Sequence, residues 1–207
     1  MNRSTILVMF HRLLLLFLLS SSALFSVTVS ELAKQSYSIR SMGRGGASVA
    51  EPYGAEAMLV NPAGLAQVGG SLQYNTPDYK KTNAQSKRAT LFHRHPVGLG
   101  WWSVEQGDTK LDNFGIGYAR RSRKGVDWGL TYTASTLTTT TTKQSFWSAD
   151  VGAILHLNPG FDVGFVGHHL LGTDSVDLSP SFKGGVLLKN KGASIKVYSD
   201  VVHNKQT

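Results

Sequence analysis

From residue 71 to residue 203, apolar and small or polar side chains alternate with a period of two. Phe114, Ile116 and Tyr118 alternate with Asn113, Gly115, Gly117 and Ala119. Val126, Trp128, Leu130 and Tyr132 alternate with Asp127, Gly129, Thr131 and Thr133, and similar runs follow around Trp147–Leu155 and Phe161–Phe165. A β-strand sends successive side chains to opposite faces, so each run gives one apolar face and one face of small or polar residues. The pattern predicts an all-β, antiparallel chain of about nine strands, at 71–75, 87–94, 97–104, 113–121, 126–136, 145–157, 161–169, 182–188 and 193–203.

The connections refine this expectation. Those at His95-Pro96, 122–125, 158–160 and 189–192 are short and carry Pro, Gly or Asn. Those near 76–86, 105–112, 137–144 and 170–181 read as longer, so short and long loops alternate. Greek-key sandwiches vary their links irregularly. An outer-membrane β-barrel has tight turns at one rim and longer loops at the other. Side-chain alternation alone fits both architectures. In water the apolar face would be a core, whereas in a barrel it meets lipid and the small polar face meets the lumen, with closure enforced by the absence of water.

Two segments precede the strands. Residues 1–30 read as a secretory signal peptide: Arg3, His11 and Arg12 flank apolar stretches, and small residues follow at 20–23, Ser26 and Ser30. The apolar run after Arg12 falls short of the ~20 residues that span a bilayer. Cleavage after Ala23 or after Ser30 fits equally. Residues 31–70 form a second unit, rich in Gly and Ala from 37 onward, with a short helix expected near 54–59. Residues 71–207 carry the strands.

Composition suits a β-rich chain. Charged residues make up 16% of the chain and there are 22 glycines, which suits β-structure rather than disorder. There is no cysteine, which excludes disulfides, thiolate metal sites and a lipid-modified Cys. The formal charge of +8 raises the question of nucleic acid. The basic residues fall in scattered groups, such as Lys80-Lys81 and Arg120-Arg121, with no recognition helix, so no nucleic-acid partner is expected. Solvated turns or contacts to lipid phosphates account for them.

Between the signal and the strands lies SMGRGGASVAEPYGAEAMLVNPAGLAQVGG. Pro62 lacks an N–H and fixes φ, Gly64 tolerates close backbone approach, and the Asn61 side chain can satisfy a neighbouring backbone group in a tight turn. This stretch resembles the N-terminal segment of the FadL-like outer-membrane transport superfamily, in which a Gly-rich part precedes an Asn-Pro-Ala motif. The matching plug-motif positions are Gly43, Arg44, Gly46, Asn61, Pro62, Ala63 and Gly64, with Ala47 and Leu65 also fitting. The hairpins at 147–172 and 181–202 are similar to those of the same group. The resemblance implies an outer-membrane barrel whose N-terminal segment folds into the lumen as a plug. It also implies transport of small hydrophobic molecules, or an accessory role in secretion. A soluble exported β-sandwich that binds a ligand or partner is the alternative of a different class.

Two departures from that family stand out. The region usually rich in Asp or Asn is here Glu51-Pro52-Tyr53-Gly54. The family's barrels are also larger, about fourteen strands, within the wide range known for such barrels. A ninth strand running outward would leave an unpaired edge in lipid, and the terminal His203–Thr207 stretch lacks an aromatic end residue. The sequence therefore reads as a truncated member, lacking about four or five strands; assigning 71–75 to the plug would make the count eight.

Catalytic chemistry finds no support. Gly43-Arg44-Gly45-Gly46 is followed by no Gly-Lys-Ser/Thr, so it is not a phosphate-binding loop, and no G-x-S-x-G occurs. His93 and His95 would share a strand face without a third ligand, and His168 and His169 would point to opposite faces. The hydroxyl-rich tract Thr138–Thr142 reads as strand end and loop. No enzyme, cofactor or metal is expected; the expected partners are outer-membrane lipid and small hydrophobic solutes.

Overall fold

The structure is a computed structural model that describes residues 48–67, 69–75, 86–122, 125–173, 178, 180–189 and 196–204. The signal peptide expected at 1–30 and the motif residues Gly43, Arg44 and Gly46 lie outside this range. Nine strands form one antiparallel sheet in simple sequence order. They are β1 (Gly70–Asn75), β2 (Ser86–Arg94), β3 (Val97–Gln106), β4 (Thr109–Arg121), β5 (Val126–Thr138), β6 (Lys143–Asn158), β7 (Phe161–Gly172), β8 (Ser181–Lys189) and β9 (Lys196–Asn204). The expected all-β, antiparallel class is therefore present. The sheet is not closed into a barrel: β1 pairs with β2, β9 pairs with β8, and no pairing joins β1 to β9 among the described residues.

The loop pattern differs from expectation at one rim. The connection read as a long loop at 105–112 is a hairpin whose strands pair to its tip, Glu105 with Lys110 and Gln106 with Thr109. Only Gly107 and Asp108 turn the chain, with Gly107 at φ +57°, a left-handed conformation open to Gly. The loop expected at 137–144 shrinks likewise, because Leu137 pairs with Gln144 and Thr138 with Lys143. Thr139 and Thr142 then close the turn, their hydroxyls 2.8 Å apart. Polar composition suggested loops in both places. Cross-strand pairs of opposite charge or of hydroxyl groups are good sheet partners, and they carry the ladder outward. Short and long loops thus do not alternate strictly.

At the opposite rim the turns after β2, β4 and β6 are as short as expected, whereas β8 and β9 pair only as far as Lys189 and Lys196, so the connection expected at 189–192 is longer. Asn158 accepts a hydrogen bond from Gly160 N at 2.8 Å, an Asx turn around Pro159. His95 lies in the turn rather than on β2, so it does not share a strand face with His93.

A second layer covers only one face of the sheet. Residues 48–67 fold as a 3-10 turn (Gly54–Glu56), a one-turn helix α1 (Ala57–Val60) and a second 3-10 turn (Pro62–Ala66). This layer lies on the inward face of β1 to β7. Met58 and Leu65 are its apolar anchors, fully buried with Leu91, Val104 and Leu111 of the sheet. The sheet receives them where glycines face each other across β3 and β4, Gly98 opposite Gly117 and Gly100 opposite Gly115. A Cβ on Gly98 would meet the Met58 sulfur at 2.8 Å, and one on Gly117 would meet Leu65 Cδ1 at 2.7 Å. The missing side chains are therefore the sockets in which Met58 and Leu65 sit.

Candidate functional site

The site grows from the junction between the N-terminal segment and the sheet. Asn61 caps the second 3-10 turn: its Oδ1 accepts from Ala63 N at 3.1 Å, and Pro62 occupies the first helical position. The local turn expected from the Asn-Pro motif is present. The other end of the side chain does more than the sequence suggested. Asn61 Nδ2 donates to Val49 O at 2.8 Å, and lies 3.3 Å from both Ala153 O on β6 and Phe165 O on β7. One fully buried amide thus links two parts of the segment and two strands.

Glycines make that approach possible. A Cβ on Gly152 would overlap the Asn61 amide, one on Gly164 would run into the Val49–Ala50 backbone, and one on Gly129 would come within 2.5 Å of the Pro62 carbonyl. Gly64, the last motif residue, faces Pro52 and Ala57, and a side chain there would strike the Pro52 ring. The Glu51–Gly54 stretch that departs from the family pattern therefore supplies Pro52 as the surface on which Gly64 seats. His93 adds a link from β2: its Nε2 donates to Leu65 O at 2.8 Å, so this fully buried histidine holds the segment.

Beside α1, between segment and sheet, lies a cavity of about 40 Å³. Met58, Trp102, Asn113, Phe146, Asp150 and His168 contribute to its lining. It forms where the β6–β7 register slips between Ala149 and Val151. The extra residues on β7 form a bulge in which His169 takes φ +54°, uncommon for a non-glycine residue. Asp150 fixes the bulge: Oδ2 accepts from His168 Nδ1 at 2.9 Å and Oδ1 accepts from the His169 backbone N at 2.8 Å. The bulge sets both His168 and His169 beside the one cavity, which corrects the expectation that they point to opposite faces. A water needs roughly 10–15 Å³ of such space, so the cavity has room for a few waters and not for a solute of any length.

A third cluster lies on the same face at the short-turn rim. His156 has Nδ1 2.9 Å from Asp162 Oδ1 and Nε2 3.1 Å from Asp127 Oδ2. Arg121 reaches Asp127 through two contacts of 3.4 Å. Asp127 is fully buried, and these two side chains meet its carboxylate oxygens. The cluster ties the β4–β5 turn to the β6–β7 turn.

Neither polar cluster contains a nucleophile held by a base, and no group of three metal-ligating side chains occurs among the described residues. What the arrangement can do is hold a compact segment against a sheet, through buried amide bonds and glycine sockets. Of the residues expected to form the site, Asn61, Pro62, Ala63 and Gly64 come together as one buried knot. The seats at Gly129, Gly152 and Gly164 and the Asp150 bulge had not been singled out. The glycines left a signal, since they recur at same-face positions of neighbouring strands. The opposite face of the sheet is uncovered among the described residues: Trp101, Phe114, Ile116, Trp128, Leu130, Tyr132 and Phe165 are all exposed there. No family model, no curated protein and no solved structure matches the chain, so any functional reading rests on this geometry and on the sequence.

Proposed function

We propose that this chain is an outer-membrane β-barrel protein of the FadL-like kind, exported by its N-terminal signal. In this reading it passes small hydrophobic molecules across the outer membrane, with residues 31–70 as the plug. The observation that carries the reading is the outward face of the sheet, a band of large apolar side chains left open while the small-residue face is filled. Contiguous apolar surface on that scale marks a membrane or a partner.

The band has the right height. On β4 the outward residues Phe114, Ile116 and Tyr118 lie between charged Asp112 and Arg120. The eight rises from Asp112 to Arg120, at ~3.4 Å each, cover about 27 Å, or about 21 Å along the membrane normal at a tilt of ~40°, close to the ~25 Å apolar band of such barrels. On the other face, Gly, Ser, Thr and Asp suit a lumen filled by a segment with irregular backbone. Transport then requires that the segment yield, since Met58 and Leu65 fill the glycine sockets of the inner face.

That tight seating favours one other reading, a structural or secretion-accessory barrel of the same fold through which no solute passes. Uptake of a labelled hydrophobic compound by cells with and without the protein separates the two. Recovery of the mature chain in a soluble periplasmic fraction, without detergent, would overturn both and leave the exported sandwich.

A further inference from the structure

The two rims of the outward face carry different charge. At the hairpin-tip rim the signs are mixed: Glu105 is paired in register with Lys110, and Lys110 bridges Asp112 at 2.7 Å. At the short-turn rim the outward charged side chains are Arg94 at the end of β2 and Arg120 near the end of β4, both exposed. The acids of that rim, Asp127 and Asp162, lie buried on the inner face, held by Arg121 and His156. They leave the outward arginines unneutralised from that side. Aromatic side chains lie beside Arg120: it is paired with Trp128, and the Trp128 ring lies 5.9 Å from that of Tyr118.

We propose that this rim is a docking surface for anionic phospholipid, with Arg94 and Arg120 binding headgroup phosphates while Tyr118 and Trp128 sit at the headgroup level. The proposal rests on the membrane-barrel reading. It adds a lipid preference and an orientation: the short-turn rim lies in the leaflet that presents anionic phospholipid. The physical basis is simple. Arg offers a planar set of donors that matches phosphate oxygens, and aromatic rings with a polar edge favour the interface. An acid on the same outward rim would cancel the attraction, and the described residues place none there.

The test uses the mature full-length chain, refolded from denaturant into vesicles of pure phosphatidylcholine or of phosphatidylcholine with phosphatidylglycerol. The inserted fraction is read by protease protection. Each basic residue near an anionic surface contributes about fivefold, so insertion should favour the anionic vesicles by roughly tenfold or more at low salt. The Arg94→Gln/Arg120→Gln double variant should lose most of that preference while inserting into phosphatidylcholine as well as wild type. A control that removes two cations from the other rim, Lys110→Gln/Lys143→Gln, should keep it. Equal preference in wild type and the arginine variant would overturn the proposal and leave the barrel reading standing. Equal loss in both double variants would also overturn it, because net charge alone would explain the effect. Failure of the wild type to insert into any vesicle would overturn the barrel reading as well.

Discussion

The two faces of this sheet are built from the same strands and the same alternation, yet they tolerate different things. On β5, Leu130 and Tyr132 project outward and are exposed, while Gly129 and Thr131 face the segment and are buried. The inner face is specified atom by atom: glycine sockets, one amide with four backbone partners, and a bulge pinned by a carboxylate. The outer face is specified only in kind, by size and apolarity. A surface that meets lipid needs no partner-specific shape. A surface that seats a folded segment does.

The contrast can be broken most severely at Gly129. Gly129→Val would drive side-chain atoms into the Pro62 backbone, which cannot move aside as a flexible side chain would. Overpacking against a rigid neighbour costs roughly 3 kcal/mol or more. The denaturation midpoint in detergent should fall accordingly, and the segment should become protease-sensitive. Leu130→Phe, one residue away on the other face, should shift the midpoint by less than about 0.5 kcal/mol.

Ile116→Arg, midway between Asp112 and Arg120 on β4, probes the outer face from the opposite direction. In a bilayer a charge near the midplane of the lipid face costs about 2–4 kcal/mol. If that face were simply open to water, the same change would be close to neutral. Folding yield into vesicles, compared with that of Thr136→Arg nearer the rim, reads the depth dependence.

Asn61→Ala removes the amide that joins Val49, Ala153 and Phe165, leaving buried carbonyls without that donor. The expected loss is about 2–3 kcal/mol, confined to the attachment of the segment. With Pro62→Ala added, the segment should loosen while the sheet persists, and conductance across planar bilayers should rise above wild type. Unchanged conductance in a normally assembled protein would count against the plug.

The smallest effect is expected at the short-turn rim. His156→Gln keeps a donor but cannot reach both Asp127 and Asp162 as the imidazole does. Because His156 is itself partly exposed, water replaces some of the loss, and about 1–2 kcal/mol is expected. Thermal midpoints of the variant and of Asp162→Asn should fall by similar amounts if the two act in one cluster.

How much of this was legible in the sequence follows from the same contrast. Period-two alternation located the nine strands because backbone pleating imposes it whatever the environment. The Asn61 turn was legible because Asx capping is local, and Ala63 N is only two residues away. The contacts from Asn61 to Ala153 and Phe165 span 92 and 104 residues, beyond any local pattern. The hairpin tips were misread because threonines and charged residues look like loop yet pair well across strands. The His168-His169 bulge was invisible for a related reason: strict alternation assumes constant register, and Asp150 breaks it. Closure and a plug role remain proposals, carried by the outward apolar band and the seated segment.

The most direct test of the central claim, that one face meets lipid and the other meets the segment, uses the absence of cysteine in the chain. Single variants Ile116→Cys, Leu130→Cys and Tyr132→Cys on the outward face, and Thr131→Cys and Thr133→Cys on the inward face, each take one spin label on an otherwise unreactive protein. In vesicles, collision with lipid-soluble oxygen and with a water-soluble nickel chelate is then measured at each position. The account predicts high oxygen and low nickel accessibility at the three outward positions, and low accessibility to both reagents at the two inward ones. High nickel accessibility at Ile116, Leu130 and Tyr132 would place that face in water and contradict the account.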